Sequence, residues 1–303
     1  MGSLPNTVPR LAGGSPRLER IDRVGWTVGA CFESHGVRVG VRSNHPALLG
    51  QLPGLLPPGA RCASGPAVDQ LFSLWVPGAS LHRPTRGYAG AERRLRAREL
   101  GDALAVLESE IRHAVAARAR GWTFIHAGVV GWRARAIVIA GRSRTGKTTL
   151  VAELVRAGAA YLSDEYAVLD PRGRVHPFAK RLSIRGPGGC DRHAQLLSAE
   201  ELGGRSGQAA LPVGMVVVTE HQLGAAWKPR SLTAGRAVLE MLAHTVAARL
   251  RPEESLASLE RAVDGAIILK GERGEAADLA PRLLAAAEWA WGSVGAGKRG
   301  GTT

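Results

Sequence analysis

Eight consecutive residues, Gly141 to Thr148, combine the residue types that hold a phosphate. They read Gly-Arg-Ser-Arg-Thr-Gly-Lys-Thr and satisfy the pattern G-x-x-x-x-G-K-[ST]. Glycines at both ends let the backbone fold around a phosphate with its N–H groups pointing inward. Lys147 can reach the outer phosphates, and the Thr148 hydroxyl can join the ligands of Mg²⁺. The pattern predicts a site for ATP and Mg²⁺, with nucleotide contacts from Gly141, Arg142, Ser143, Arg144, Thr145, Gly146, Lys147, Thr148 and Thr149.

The surrounding sequence supports a P-loop here. An apolar strand is predicted over 136–140, and an amphipathic helix over 147–157, which ends before Gly158. The start of that helix adds its positive end to the anion site. A second partial match, over 292–298, has Arg299 where Ser or Thr is needed and leaves no room for a following helix, so we predict no nucleotide site there.

An acidic pair, Asp164-Glu165, directly follows the strand predicted after the loop helix. One helix, one turn and one strand bring the chain back beside the loop, where two carboxylates can hold Mg²⁺ and accept a proton from a hydroxyl substrate. A solvated turn is the alternative, and the position beside the loop favours function. Glu220, after the apolar run 215–218, could be a distant Walker B acid, but a core strand ending in a polar turn is favoured there.

Composition and charge restrict the class of protein. The chain has 303 residues, of which 45% are hydrophobic and 22% charged, as expected for a globular protein. Its net charge of +14 suggests attraction to anions. The densest basic cluster, Arg93, Arg94, Arg96 and Arg98, is read as a solvated helix face without interleaved aromatic residues, so we predict no nucleic-acid partner.

Other sequence features indicate the compartment. No apolar run approaches the roughly 20 residues of a membrane-spanning helix, and the N-terminus does not resemble a signal peptide. The three cysteines are far apart and lack metal or redox spacing. The simplest prediction is a reduced, cytoplasmic protein without a membrane partner.

The N-terminal part is predicted to be an accessory α+β domain over 21–120, preceded by a disordered tail over 1–20. Its predicted strands are 24–28, 38–41 and 71–76, and its predicted helices are 45–56 and 92–118.

The catalytic domain is predicted over 121–291, followed by a disordered tail over 292–303. Short apolar runs alternate with helices in this part, which is typical of an α/β fold. The runs are 136–140, 160–162, 215–218 and 266–269, and the helices are 147–157, 234–250 and 276–291.

Residues 121–245 resemble the C-terminal catalytic domain of HPr serine kinase/phosphorylase and of its relatives with unidentified substrates. The similarity is specific mainly up to Asp170. The shared features are His126-Ala127-Gly128, the strand 136–140, the loop 141–148, Gly158, Asp164-Glu165, Ile184-Arg185-Gly186 and Gly235-Arg236. The resemblance implies an α/β P-loop fold with a core like that of phosphoenolpyruvate carboxykinase, and transfer of the γ-phosphate of ATP to a serine hydroxyl.

The resemblance also implies roles for individual residues. Lys147 would clamp phosphates, Thr148 would bind Mg²⁺, and Glu165 would be the general base, with Asp164 assisting the base or the metal. His126 would lie beside the reacting groups. Arg185 and Arg236, from the two later shared elements, are candidate substrate contacts, with surface arginines of a basic protein as the alternative.

Four residues depart from the family pattern. Arg144 replaces a loop glycine, and Glu165 replaces an aspartate. Ser183 stands where the family has a metal-associated glutamate, and Ala237 stands in place of an asparagine. The last two argue against the reverse, phosphorylase reaction and against HPr as the acceptor.

The sequence therefore predicts an ATP- and Mg²⁺-dependent kinase whose acceptor is a hydroxyl-bearing peptide, protein or small molecule. Two other classes stay open. A nucleotide-binding regulatory module or slow ATPase is favoured by Arg144 and Ser183, whereas a nucleic-acid-associated ATPase rests on charge alone. A homo-oligomer is compatible with the sequence.

Overall fold

The fold is given by a computed structural model that describes residues 5–11, 15–78, 83–142, 145–184 and 194–296. The chain divides into two units, Met1–Arg120 and Gly121–Thr303. Both units combine α-helices with mixed β-sheets.

The N-terminal unit is built on a mixed sheet. Its elements are β1 (Arg10–Leu11), α1 (Pro16–Asp22), β2 (Val28–Ser34), β3 (Val37–Ser43), β4 (Arg61–Cys62), β5 (Ala67–Val68), β6 (Gln70–Trp75), β7 (Thr85–Ala89), β8 (Glu92–Ala97) and α2 (Leu100–Arg118). Among its described residues, six strands lie in the order β4-β2-β3-β6-β7-β8, while β1 pairs with β5. The strands predicted over 38–41 and 71–76 are confirmed as parts of β3 and β6, except that Val76 follows β6.

The long helix predicted over 92–118 is wrong at its N-terminal end. Residues 92–97 form β8, which pairs with β7, and α2 begins only at Leu100. Leu95 is buried opposite Gly87, where a Cβ would lie 2.8 Å from the Cδ2 atom of Leu95, so only glycine leaves room for it. The basic cluster therefore lies on a strand and the turn after it, and not on a helix.

Three other predictions for this unit are also corrected. The helix predicted over 45–56 is replaced by two short 3₁₀ helices, Pro46–Gly50 and Leu52–Leu55, because Pro53 has no N–H to continue a helix. The strand predicted from Val24 begins only at Val28, after Gly25, whose φ is +80°. The predicted disordered tail contains β1 and the start of α1.

The C-terminal unit contains the predicted loop. Its elements are β9 (Thr123–Trp132), β10 (Arg135–Ala140), α3 (Lys147–Arg156), β11 (Ala160–Ser163), β12 (Tyr166–Leu169), β13 (Arg174–His176), β14 (Leu182–Ile184), β15 (Gln195–Leu197), β16 (Arg205–Ser206), β17 (Leu211–His221), β18 (Arg230–Ser231), α4 (Ala234–Leu242), α5 (Pro252–Val263), β19 (Ile267–Arg273) and α6 (Ala276–Ala296). The four predicted apolar runs are confirmed as strands, except that Ala266 precedes β19.

The strand that leads into the loop, β10, lies inside a mixed sheet. It runs parallel to β17, which in turn runs parallel to β19. On its other side β10 is antiparallel to β9. The long strand β9 also pairs with β11 through its C-terminal half and with β12 through its N-terminal half. Both β10 and β11 run antiparallel to β9, along its two opposite edges, and their C-terminal ends therefore lie opposite its central residues, Ala127 and Val129.

Different helices cover the two faces of this sheet. Ile137 and Ile139 of β10 pack in one buried core with α3 and α6. Ala136, Val138 and Ala140 pack in another with α4 and α5. Because successive side chains of a strand point to opposite faces, a strand covered on both sides needs a continuous apolar run. This explains the sequence Ala-Ile-Val-Ile-Ala before the loop.

The helix predictions for this unit are only partly right. The helices over 147–157 and 276–291 are confirmed, although α3 ends at Arg156. The helix predicted over 234–250 ends at Leu242, and α5 was not predicted. Helix α6 continues to Ala296, into the predicted tail and the second partial loop match, whose Gly297 and Lys298 lie outside the described residues. Within the described ranges, no helix is both long and apolar enough to cross a bilayer.

The contact between Gly128 of β9 and α3 gives a stability prediction. A Cβ at Gly128 would lie 2.5 Å from Cγ2 of Val151, so we expect Gly128→Ala to lower the free energy of unfolding by about 1–3 kcal/mol through overpacking. Urea denaturation followed by circular dichroism measures the change. The control is Gly235→Ala at an exposed position of α4, where no heavy atom lies within 4 Å of the added Cβ, so the substitution should not lower the free energy of unfolding, because alanine favours a helix over glycine. Equal effects of the two substitutions would contradict this packing.

Candidate functional site

The loop between β10 and α3 is closed by its own polar contacts. Thr145 Oγ1 donates to the carbonyl of Arg142 at 2.8 Å. Lys147 Nζ donates to the carbonyls of Gly141 (2.8 Å) and Arg142 (2.6 Å). Gly146 precedes α3 with a φ of +80°, a left-handed conformation that favours glycine. Ser143 and Arg144 lie outside the described residues.

The start of α3 favours a bound anion. Burial lowers the pKa of Lys147, while the nearby Asp164 carboxylate acts in the opposite direction. An ammonium group that has lost part of its hydration is stabilised by a negative partner. The first N–H groups of the helix contribute a further partial positive charge at the same place.

The acidic pair Asp164-Glu165 lies in the turn between β11 and β12. Ser163 Oγ accepts hydrogen bonds from the backbone N–H groups of Glu165 (3.2 Å) and Tyr166 (3.1 Å), which hold this turn in place. Glu165 Oε2 lies 3.4 Å from Lys180 Nζ, and both side chains are partly buried. The hydrogen bonds to Ser163 therefore fix the backbone from which the two carboxylates project.

Asp164 connects this turn to α3. Its side chain accepts hydrogen bonds from the hydroxyls of Tyr161 (3.0 Å) and Thr148 (3.4 Å), and the residue is only 8% exposed. Burial raises the pKa of Asp164, although the Lys180 ammonium and the two hydroxyls act to lower it, and the adjacent Glu165 raises it further. Burial and the Asp164 charge also raise the pKa of Tyr161, so its phenol keeps the proton that it donates.

His126 lies on β9, opposite Tyr166 of β12. Its ring is exposed and its centroid lies 4.7 Å from that of Tyr166. Its backbone N–H donates to the carbonyl of His244 at 2.9 Å. The imidazole is thus placed by the strand pairing on the same side of the sheet as the acidic turn.

A polar cleft of about 590 Å³ brings most of the predicted residues together. The predicted residues that line it are His126, Gly141, Gly146, Lys147, Thr148, Thr149, Asp164 and Glu165. The other described residues that line it are Lys180, Ser183, Ala243, His244 and Thr245. Arg142 and Thr145 instead line a second polar cleft, of about 810 Å³, which shares Gly141 and His244 with the first.

The segment with His244 was missed because the predicted helix continued through it. No glycine or proline marks the end of α4 in the sequence before Pro252. In the structure the chain leaves the helix after Leu242 and pairs with β9: Thr245 forms a bridge with Ile125, and Val246 N donates to the carbonyl of Phe124 at 2.9 Å. This pairing brings His244 into the cleft, where burial, and then the charges of Lys147 and Arg142, lower its pKa.

Arg236 and Glu220 are not among the residues that line the first cleft. Arg236 lines a cleft between α4 and α5, away from the loop residues. Arg185 lies outside the described residues. Glu220 is exposed at the end of β17 and lines the second polar cleft. The structure therefore groups the loop with Asp164 and Glu165, and it does not bring Arg236 to them.

The cleft fits Mg²⁺ bound together with a nucleotide. Among the residues that the structure describes, no group of three His, Cys, Asp or Glu side chains is close enough to form a metal site by itself. Mg²⁺ at a nucleotide needs only one or two carboxylates, because phosphates and water complete its octahedron. Asp164 and Thr148 offer such oxygens 3.4 Å apart, in the same cleft as Lys147.

Comparison with known proteins leaves the function open. No protein-family model and no curated protein matches this sequence. Among solved structures, the Hpr(Ser) kinase/phosphatase from Coxiella burnetii is similar over 58% of this chain and 99% of that chain, with 12% identity and a TM-score of 0.27. A likeness with values this low carries no argument about this chain. The function therefore has to follow from the residues of the cleft.

The raised pKa of Asp164 predicts that this carboxylate destabilises the protein without ligand. A folded-state pKa above the unfolded value favours the protonated form, so stability falls as pH rises from the ordinary aspartate value through the raised one. We expect Asp164→Asn to increase the free energy of unfolding at neutral pH, on the order of 1 kcal/mol, and to remove this pH dependence. Urea denaturation at a series of pH values measures both effects.

Asp170→Asn is the matched control, because it is expected to change the free energy of unfolding in the opposite direction. Burial acts to raise the pKa of Asp170, but hydrogen bonds from His176 and from the N–H groups of Arg174 and Arg172 hold it below its usual value. Its stabilising effect is therefore present at neutral pH and is lost as pH falls through the lowered pKa. Asp170→Asn should destabilise at neutral pH. If Asp164→Asn were also destabilising there, the buried charge of Asp164 would not be the dominant effect.

Proposed function

We propose that this chain is an ATP-dependent phosphotransferase that moves the γ-phosphate to a hydroxyl-bearing acceptor. The acceptor is a serine-type hydroxyl of a peptide, a protein or a small molecule. The observation that carries the proposal is that one cleft contains both the lysine and threonine of the loop and two carboxylates from a separate turn. A site that only binds a nucleotide does not need the second of those carboxylates.

The loop side of the cleft would hold the triphosphate. Lys147 and the N–H groups at the start of α3 would bind phosphate oxygens and stabilise the charge that spreads over them during transfer. Thr148 and Asp164 would hold Mg²⁺, which neutralises phosphate charge when bound. Tyr161 keeps the Asp164 carboxylate oriented through its hydrogen bond.

Glu165 is the proposed general base. Its carboxylate would take the proton of the acceptor hydroxyl as that oxygen forms a bond to the γ-phosphorus. The bond between this phosphorus and the bridging oxygen breaks in the same step, and ADP leaves with the electron pair. Lys180 Nζ lies 3.4 Å from Glu165 Oε2 and is placed to orient this carboxylate.

A second candidate function is a nucleotide-binding regulatory module or slow ATPase. Two observations favour it. Ser183 brings an uncharged hydroxyl to the cleft at the position of the family's glutamate, and Glu165 is held beside the ammonium of Lys180. In this case a water molecule, or no nucleophile at all, would stand where the acceptor hydroxyl is proposed.

Transfer of label from γ-labelled ATP into a desalted lysate of the source organism distinguishes the two functions. We expect acid-stable label with the wild type. Lys147→Ala should lose ATP binding and transfer together. Glu165→Gln should keep ATP binding but lose transfer by roughly 10²–10⁴-fold, the usual contribution of a general base.

Glu220→Gln is the control for the choice of acid, because Glu220 is exposed in the second cleft. It should transfer phosphate at close to the wild-type rate. Full activity of Glu165→Gln would show that the base is misassigned, and a loss confined to Glu220→Gln would move that role to β17. Binding of MgATP without any labelled product would favour the regulatory module.

A further inference from the structure

A buried arginine outside the recognised motif, Arg273, contacts the loop directly. It is the last residue of β19 and is only 2% exposed. Its Nη2 donates to the carbonyls of Gly146 (2.8 Å) and Thr145 (3.5 Å), and its Nη1 donates to the carbonyl of Gly274 at 2.9 Å. The guanidinium thus connects the end of β19 to the residues just before α3.

The charge of Arg273 has little compensation in the protein. Within the described part of the chain, no carboxylate forms an ion pair with it, and its buried Nε lacks a hydrogen-bond partner there. Burial lowers the pKa of Arg273, and the charge of Glu275 acts in the opposite direction, although the Glu275 carboxylate lies 3.6 Å from His221 Nε2. A buried cation without a paired anion is costly, so a neutral residue would be expected here if the position served packing alone.

Gly146 is adapted to this arginine. A Cβ at Gly146 would lie 2.4 Å from Nη2 of Arg273, in addition to the strain that its φ of +80° would impose on another residue. The backbone angle therefore favours glycine at this position, and a larger residue would also displace the guanidinium of Arg273.

We infer that Arg273 is a positioning residue for the polyphosphate of the nucleotide, an inference that rests on the proposed function. Because a trans peptide is planar, its C=O and N–H groups point in opposite directions. By holding the carbonyls of Thr145 and Gly146, the guanidinium directs the N–H groups of Gly146 and Lys147 away from itself. Those are the groups that would bind phosphate, and the charge of Arg273 reinforces the same anion site without touching it.

Binding of MgATP and of inorganic tripolyphosphate, measured by calorimetry, tests this role. Tripolyphosphate reports on the loop alone, because it has no nucleoside. Arg273→Met should weaken both ligands by the same factor, on the order of ten- to hundredfold, which corresponds to the loss of one or two charge-assisted hydrogen bonds. The control is Arg42→Met, since Arg42 is also 2% exposed but pairs with Asp22 and Ser73 in the N-terminal unit. It should lower stability and leave both affinities unchanged.

Chemical rescue separates the forked geometry of the guanidinium from its charge. In Arg273→Ala, added methylguanidinium should restore much of the tripolyphosphate affinity, whereas methylammonium at the same concentration should not. A purely structural role would not require this selectivity. If Arg273→Met and Arg273→Ala do not fold, Arg273→Lys keeps the charge and loses the fork, and it should bind tripolyphosphate at least about tenfold more weakly than the wild type.

The outcomes distinguish this inference from the proposed function. A wild-type protein that binds neither ATP nor tripolyphosphate contradicts the proposed function itself. If Arg273→Met or Arg273→Lys binds both ligands as tightly as the wild type does, the role of Arg273 is overturned and the proposed function is not. An equal loss of affinity in Arg42→Met also overturns it, because the loss would then reflect general destabilisation.

Discussion

The arrangement of the cleft depends on the backbone hydrogen bonds of one strand, β9. One part of β9 pairs with β10, which leads into the loop, and also with β11, which leads into the acidic turn. Another part pairs with β12, on the far side of that turn, and with the segment around Thr245. Because strand pairing sets spacing and register over whole strands, these pairings place Lys147, Asp164 and His244 relative to one another without direct contacts between all of them.

The paired strands hold three charged side chains at positions where burial disfavours their charged forms. Burial raises the pKa of Asp164 and lowers those of Lys147 and Arg273, so each of the three loses hydration in its charged form. Hydroxyl groups around Asp164 and backbone carbonyls around the two cations replace only part of that hydration. A polyphosphate with its metal would complement all three, and such conflicts between stability and charge are typical of functional sites.

The errors in the predicted fold share a physical origin. Apolar residues spaced three to five apart fit a helix, but Leu95 belongs to a strand because it pairs opposite Gly87 of the neighbouring strand. Likewise α4 ends at Leu242 because the following residues form hydrogen bonds with β9, although their sequence is compatible with a helix. In both cases partners distant in the sequence outweigh local propensity, which is a weak preference. The apolar strands of the C-terminal unit were predictable because they are covered on both faces and so read as continuous runs.

Within the site, the order of residues alone predicts the loop pattern, the strand and helix on either side of it, and the acidic pair that follows. These are local features, since the residue types and their spacing lie within a short stretch of chain. The long-range contacts follow from the folded chain instead. Asp164 accepts a hydrogen bond from Thr148, and Lys180 lies beside Glu165. His244 enters the cleft while Arg236 does not, and Arg273 contacts Gly146. Each of these depends on which strands pair and which faces are buried, and such long-range contacts have no signature in the order of neighbouring residues.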